Sequence, residues 1–566
     1  MSIFSNIPLP KLKRSTFNLS HDVKLTGNIG KLIPVLCQPV IPGDKWKIST
    51  QFLLRLNPLL APVMHQMSVY FHAFFVPNRL VWEAWEEFIT RGVNGDVKPE
   101  LPYTTPKEIF VFLRQNFLGG NSVKGSDCVC SLPDYMGLPV ENLSLSDTGT
   151  KISLLPFKGY QLIYDEYYRD ETLEPEVEIY KDLDGFHEYV NTGDNKGEPL
   201  ASLLTLRNRA WKKDYFTGAL PWPQRLADAE VTLPLVGNAP LKKVSDFSFS
   251  NGSEVLSQYG GSSLSIEIDG SGFLKAKNGT GSLRDAGIDL NNLLTSAQIS
   301  KLQADLSAGN SVTINQLREA VRLQMWLENN ARGGSRYTEQ LLAHFGVRSK
   351  DSRLQRPEYL GGFSAPVNIS EVLQTSQTND DTGDVLGKQG GHGFALNGGR
   401  TIKRYFDEHG YLFIILSVRP QPSYFQGIPK DFTKMDNLDF YFPEFQHLGE
   451  QPVLNRELYY KGNSQEDEAT FGYVPRYAEY KYCPNRICGR FRTDMLYYHM
   501  ARKFSDVPKL NSDFIICDES MDGLDRIFAA QVDPATEKEY DHLWFDVAHN
   551  IKCSRKMSRY GIPKLL

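Results

Sequence analysis

Eleven histidines and seven cysteines are the side chains of this 566-residue chain best suited to metal or nucleophilic chemistry, and their spacing works against both. No two histidines stand in an HExxH or HxH arrangement that would put two imidazoles on one metal. Cys483 and Cys488 in CPNRIC, with His499 and Cys517 downstream, can be drawn together as a zinc set. Their spacing is poor and no second CxxC follows, so free thiols are the better reading. Gly390-Gly391-His392-Gly393 lacks the further glycine of a dinucleotide-binding turn and the Lys-Ser/Thr of a phosphate loop, and reads as a flexible loop. No GxSxG elbow marks a nucleophile. Acidic pairs such as Asp165-Glu166, and the group Asp380, Asp381 and Asp384, read as solvated surface; glycosidase chemistry needs two carboxyls about 5 to 9 Å apart, which spacing does not establish. The expectation is a protein with no catalytic residues, no metal and no cofactor.

Basic residues carry more information because they interrupt an acidic average. Sixty-two Lys and Arg against 67 Asp and Glu leave a net charge of -5, so contact with phosphates has to come from local patches, not from a global field. Three patches stand out: Lys11, Lys13 and Arg14 in the N-terminal arm; Arg207, Arg209, Lys212 and Lys213 around Trp211; and Lys552, Arg555, Lys556 and Arg559 near the C-terminal end. Each is equally well read as a solvated face or as a segment held by acidic neighbours. As a nucleic-acid interface they would hold phosphates while Trp211, Tyr215 or Tyr560 stacks on unpaired bases.

Hydrophobic residues at 41%, charged at 23% and aromatic at 12% exclude an intrinsically disordered chain, a collagen-like repeat and a supercharged tail protein. The opening MSIFSNIPLPKLKRSTF lacks the apolar run of a secretory signal, and the run Tyr411 to Val418 is too short to span a bilayer. Together with sparse, odd-numbered cysteines, this leads to an expectation of synthesis in a cytoplasm.

The elements that must position these residues are mainly β. Ile48, Thr50, Phe52, Leu54 and Leu56 alternate with Ser49, Gln51 and Arg55; Met67, Val69, Phe71, Ala73 and Phe75 alternate with residues that are themselves largely aromatic, so both faces of that strand should be covered. Tyr411 to Val418 reads as a central buried strand, and Pro475 demotes Phe471 to Tyr482 to an edge or bulged strand. Helices are predicted at Ile314 to Arg332, with Thr313 and Gln316 as a capping box and Ile314, Leu317, Val321 and Met325 as an apolar stripe, and after Asn78, with Trp82, Trp85, Phe88 and Ile89 on one side and Gly92 as the stop. Gly159 to Asp170 and Thr338 to Phe345 are weaker candidates. Between Leu235 and Asn310 the chain turns rich in Gly, Ser and Asn, an insertion whose Leu264, Ile266, Ile268 and Phe273 point to some β structure, and Asp380 to Arg400 reads as a long loop.

Taken as strings, several of these segments carry a family resemblance. They include RSTFNLSHDVKLTGNIGKLIPV from Arg14, NPLLAPVMHQMSVYFHAFFVPNRLVWEAWEEF from Asn57, DYFTGALPWPQ from Asp214, ARGGSRYTEQLLAHFGV from Ala331 and FDEHGYLFIILSVRPQPSY from Phe406. The chain resembles the major capsid proteins of microviruses, in the gokushovirus branch of small single-stranded DNA phages. The resemblance implies a mainly β fold: one eight-stranded antiparallel jelly roll with long loop and helical insertions, made by residues 1–228 and 313–566. It implies sixty copies in a T=1 icosahedral shell around circular single-stranded DNA. Residues 229–312 would be a variable protrusion at the three-fold axes that contributes to host attachment. The implied partners are neighbouring copies, the packaged DNA, a small basic DNA-binding packaging protein, internal scaffolding and minor or pilot proteins, and a host cell-surface receptor. The implied location is the virion, after synthesis in the host bacterial cytoplasm.

Sixty copies at -5 give about -300, the wrong sign to neutralise a genome's phosphates, so inward patches can only position DNA locally. The N-terminal arm and the C-terminal tail are the segments expected to face it. Trp82, Trp85, Tyr135, Tyr164 and Tyr167 are expected either as anchors between subunits or as core. Two other classes stay open on the residues alone: a carbohydrate-binding or glycosidase β protein with an acidic, aromatic-lined cleft, and a host-attachment protein.

Overall fold

A computed structural model of the chain describes residues 14–91, 97–118, 128–189, 199–223, 241–243, 254–259, 262–268, 274–276, 302–304, 314–333, 339, 342–343, 350–351, 355–373, 389–529 and 541–560. The chain divides into two units, Met1–Pro223 with Ala331–Leu566, and Gln224–Asn330. In the first unit eleven strands make two sheets, every pairing antiparallel: β1 (Ser15–Asn18), β2 (His21–Gly27), β3 (Ile33–Val40), β4 (Lys45–Leu56), β5 (Met67–Pro77), β6 (Glu358–Pro366), β7 (Asn368–Leu373), β8 (Gln389–Gly398), β9 (Ile402–Tyr405), β10 (Gly410–Pro420) and β11 (Leu543–Arg555). The larger sheet places β1 and β2 along one edge of β11, then β4, then β8 and β9 along the far edge of β4, with β7 outside β8. The smaller runs β6-β5-β10-β3.

Period-two sequence explains how the sheets meet. On β4, Trp46, Ile48, Thr50, Phe52, Leu54 and Leu56 are buried, while Lys45, Lys47, Gln51 and Arg55 are exposed. The buried set faces Met67, Val69, Phe71, Ala73 and Phe75 of β5 in one core, where the Phe52 and Phe71 ring centroids lie 4.8 Å apart. Each such ring gains about 1.5–3 kcal/mol from leaving water.

The other face of the smaller sheet is covered too, as the aromatic residues between the inward positions require. Phe74, Val76, Phe413 and Ile415 pack with α3 (Pro106–Leu118) and α4 (Leu155–Tyr167) in a second core. Gly159 lets α4 come this close: a Cβ there would stand 3.0 Å from a ring carbon of Phe413. The strand Tyr411 to Val418 is therefore buried on both faces and paired on both edges, as its unbroken apolar run predicts. Thr470–Pro475 pairs with Glu450–Leu454 in a two-stranded sheet and ends at its proline.

Several expectations need correction. Asp380 to Arg400 is not simply a loop, because residues 389–398 form β8, inserted between β4 and β7; residues 374–388 lie outside those described. The glycines that disguise β8 are there for space: a Cβ on Gly391 would sit 2.5 Å from the Ala61 carbonyl oxygen, and one on Gly393 2.3 Å from a Leu56 methyl. His392 is thus a strand residue, not part of a flexible glycine loop. The single helix expected after Asn78 is two short ones, α1 (Asn78–Val81) and α2 (Trp85–Thr90), because Trp82 turns to extended backbone and its indole is buried against Asp184. Trp82 and Tyr164 are buried and Trp85, Tyr135 and Tyr167 half-buried, so these aromatics serve packing within the subunit.

In the second unit, Glu254–Tyr259, Ser262–Ile268 and Leu274–Ala276 form a three-stranded antiparallel sheet, and Leu241–Lys243 pairs with Leu302–Ala304. Helix α5 (Ile314–Gly333) falls mostly in this unit; of its expected apolar stripe, Leu317, Val321 and Met325 are exposed, whereas Leu327, which lies outside that stripe, is buried. The proposed cap at Thr313 lies outside the described residues, as does most of Thr338 to Phe345.

One buried histidine ties pH to this sandwich. His549 on β11 lies between the sheets, Nδ1 3.0 Å from the Thr50 hydroxyl and Nε2 3.2 Å from the Val35 carbonyl. Burial, then the neighbouring His21, lowers its pKa from 6.5 to about 4. The unfolded chain therefore takes up a proton between pH 6.5 and about 4 that the folded chain refuses, so stability falls as pH drops through that window. The expected loss from this one site is on the order of 2–3 kcal/mol near pH 4.5. Unfolding midpoints of the wild type and His549→Gln, measured at pH 7 and pH 4.5, check it: the variant should start lower at pH 7 but lose less on acidification. An acid loss of equal size in both would refute the assignment.

Candidate nucleic-acid interface

The outward positions of β4 place Lys45 and Lys47 on the exposed face of the larger sheet, opposite the buried Trp46 and Ile48. Strand register does the rest: Lys403 of β9 and Lys552 of β11 stand directly opposite Lys47 on its two sides. Three lysines therefore form a row across three adjacent strands, spanning about 10 Å at the usual strand spacing. Tyr405, Lys45 and Ser554 form the next row, and the Tyr405 ring is exposed. Like charges set opposite one another across strands repel. Among the described residues none of the four lysines forms a salt bridge; the ion pairs on β2, β9 and β11 are Lys24–Asp546, Arg404–Glu358 and Arg555–Asp44. Toward the far end of the same face, Phe394, Arg55 and Trp544 form another row, with both aromatic rings exposed.

Beside the lysines, the N-terminal arm and the C-terminal tail converge. Arg14 donates to the Gly43 carbonyl at 2.6 Å and to the Ser554 carbonyl at 3.3 Å. Arg555 donates to the buried Asp44 carboxylate at 3.0 Å and to the Pro39 carbonyl at 3.0 Å, with its guanidinium carbon 5.5 Å from the Trp46 ring centre. Both arginines thus tie strand ends together, and among the described residues of this corner Lys552, Lys556 and Arg559 are exposed cations with no salt bridge. Lys11 and Lys13 lie outside the described residues.

The Arg207–Lys213 patch is elsewhere and is not one surface. Arg207 is used internally: Nε donates to Gln161 at 2.8 Å, Nη2 to the Ser202 carbonyl at 3.3 Å, and the guanidinium lies over the Tyr164 ring. Trp211 is buried, its indole N–H donating to Asp522 at 3.1 Å, so it is not a stacking platform. The Tyr215 hydroxyl donates to Glu457 at 2.9 Å and its ring stacks on Tyr482, whereas Tyr560 is exposed. Arg209 donates to the Ser417 hydroxyl at 2.8 Å, and burial, then the charge of Arg419, lowers its pKa from 12.5 to about 10, leaving it charged at neutral pH. Lys212 is exposed and Lys213 pairs with Asp170.

Sequence reasoning passed over Lys45, Lys47 and Lys403. The alternation with Trp46 and Ile48 already put the first two on an exposed face, but only strand order brings Lys403 and Lys552 beside them. The cysteine and histidine set does not converge: Cys483 and Cys488 are exposed, Cys517 is buried, and His499 Nε2 lies 2.7 Å from the Phe491 carbonyl. Among the described residues no three His, Cys, Asp or Glu side chains gather as a metal site.

Comparison with known proteins gives the chain its family. A family model described as capsid protein (F protein) matches residues 5–565. Capsid protein VP1 of Chlamydia phage 1 is 32% identical over 99% of this chain and 97% of its own length, and VP1 of Bdellovibrio phage phiMH2K is 33% identical over the same shares. VP1 of Spiroplasma virus 4 is 30% identical over 100% of this chain and 97% of its own length. These matches run through both sheets, the helices between them and the second unit, and they overturn the glycosidase alternative: the chain belongs to the phage F-protein family of capsid proteins, in its gokushovirus branch, and its role is structural.

Proposed function

We propose that this capsid protein assembles as sixty copies into a T=1 icosahedral shell enclosing circular single-stranded DNA, with the exposed face of its larger sheet turned to the genome. The observation that carries the shell reading is similarity to phage VP1 proteins along almost their whole length. Strand order supports a jelly roll. Counting β1 with β2 and β8 with β9 as single bent strands, the sheets run first-eighth-third-sixth and second-seventh-fourth-fifth, leaving β7 as an addition beside the sixth. Residues 229–312, which carry their own small sheet, are proposed as the protrusion at the three-fold axes and a contributor to host attachment. The lysine row and the tail corner with Lys552, Lys556 and Arg559 supply local phosphate contacts, and Lys11 and Lys13 of the N-terminal arm are proposed to add to them. A shell of net charge about -300 then needs a small basic packaging protein for the remaining phosphates. Scaffolding and pilot proteins, a host receptor, and synthesis in the bacterial cytoplasm before incorporation into the virion complete the proposal.

Sedimentation and electron microscopy of native particles test it. Icosahedral shells whose protein mass is about sixty times 64.1 kDa, holding nuclease-protected single-stranded DNA, are the expected result. A different copy number, or absence of this chain from the shell, would overturn it.

A further inference from the structure

Between Phe432 and Leu448 the chain does the reverse of what water favours: none of its large apolar side chains is buried. Phe432, Met435, Phe440, Tyr441, Phe442 and Leu448 are each between 46% and 86% exposed. At roughly 200 Å² for a large side chain, they present roughly 700 Å² of apolar-rich surface. The largest apolar patch of a monomer is usually about 300–600 Å², and each partner of a standard interface buries about 800 Å².

The segment is not a loose loop. Asp439 accepts the amides of Met435 and Asp436, both at 3.0 Å, and Asp436 accepts the Asn437 amide at 2.7 Å. Arg476 donates to the Leu438 carbonyl at 2.9 Å, the Tyr477 hydroxyl donates to the Phe440 carbonyl at 3.0 Å, and the Tyr441 and Tyr477 rings meet edge to face. A fixed backbone therefore holds the apolar side chains outward, and little conformational freedom is lost when another surface covers them.

Charge identifies that surface. Along residues 431–448 four carboxylates, Asp431, Asp436, Asp439 and Glu444, stand against Lys434 alone, which pairs with Asp431 at 2.7 Å. Residues 481–492 carry Lys481, Arg486, Arg490 and Arg492 with no carboxylate among them, and all four cations are exposed. The two segments lie side by side: Asp431 lines one cavity of about 460 Å³ with Lys481, Arg486 and Arg492. Yet among the described residues no salt bridge joins them, and Asp436, Asp439, Glu444 and the four cations form none at all. An acidic, apolar lobe beside a basic strip is self-complementary under a half turn, because rotation about an axis between them sets each copy's lobe on the other's cations. Arginine suits the task, since its planar guanidinium stacks on exposed Phe and Tyr rings as well as pairing with carboxylates.

We infer that residues 432–448 are an interface between copies of this chain, packed across a two-fold axis on residues 481–492 of a second copy. The inference rests on the shell reading and deepens it, naming one surface through which copies meet.

Electron cryo-microscopy of native particles, at a resolution that shows side chains, tests it: Phe432 to Leu448 should be covered by residues 481–492 of a two-fold neighbour. Met435→Asp, at the most exposed apolar position of the lobe, should leave the unfolding midpoint of the unassembled subunit unchanged and lower particle yield by about tenfold or more. Arg486→Glu, Arg490→Glu and Arg492→Glu together should lower it likewise. Should a variant chain fail to fold, the map of native particles decides alone. Particles built of this chain with residues 432–448 open to solvent, or covered by a different protein or another part of the chain, would overturn the interface and leave the shell reading standing. Full particle yield from Met435→Asp would overturn it too. Native particles that lack this chain would overturn both.

Discussion

Arg502→Leu is expected to destabilise the subunit by about 3–5 kcal/mol, because it removes one partner of a buried ion pair and leaves the other charge without compensation. Arg502 Nε lies 2.9 Å from Asp522, and the two side chains are only 3% and 6% exposed. Asp522 also accepts the Trp211 indole at 3.1 Å and the Asp518 amide at 3.2 Å, while the Arg502 guanidinium carbon sits 4.3 Å from the Phe514 ring centre. Burial raises the Asp522 carboxyl above its ordinary value, and Arg502 and those hydrogen bonds offset only part of the rise. The pair anchors Trp211, and through it the Arg209–Lys213 segment, against the residues around Ile515, whose carbonyl accepts the Trp211 amide at 2.8 Å. Chemical unfolding of the unassembled subunit should show the loss, and the double variant Arg502→Leu/Asp522→Leu should recover a large part of it. A single variant within about 1 kcal/mol of wild type would mean that Asp522 is protonated or hydrated without its partner.

Replacing Lys45, Lys47, Lys403 and Lys552 together by glutamine is expected to weaken binding of the subunit to oligothymidylate and flatten its salt dependence. Each phosphate that a cation neutralises on a single strand adds about 0.7 to the steepness of log affinity against log salt, so removing four such cations lowers it by about 2.8. Between about 50 and 200 mM salt this is a difference on the order of fifty-fold in how far screening weakens binding. Folding should not suffer: the four lysines are exposed and form no salt bridge among the described residues, and removing their mutual repulsion is neutral or favourable. Titration of wild type and variant across that salt range decides the matter. An unchanged slope would show that the row is a solvated face and that the genome is held elsewhere.

Much of the sandwich could be read from residue order alone. The alternation on β4 and β5, the unbroken run of β10 and the proline that ends Thr470–Pro475 are local consequences of which side chains tolerate water, and the structure follows them. β8 could not be read this way, because its glycines remove the hydrophobic signal that marks a strand; they are required by Ala61 and Leu56, distant in sequence. The break between α1 and α2 has the same origin, since Trp82 leaves the helix for a partner 102 residues away.

The binding surfaces divide along the same line. Charge composition excludes a global attraction for nucleic acid, and long ordered strings of Trp, His and Pro identify the family, because both are properties of the chain as a succession of residues. Which cations are available is decided only by tertiary structure. Arg14, Arg207 and Arg555 look as free in sequence as Lys552 does, yet carbonyls, a side-chain amide and a buried carboxylate from other elements occupy them. Lys47, Lys403 and Lys552 become one row only once strand order has placed them. A cation's function depends on whether another group already satisfies it, and the satisfying groups come from remote parts of the chain that pairing and burial bring together.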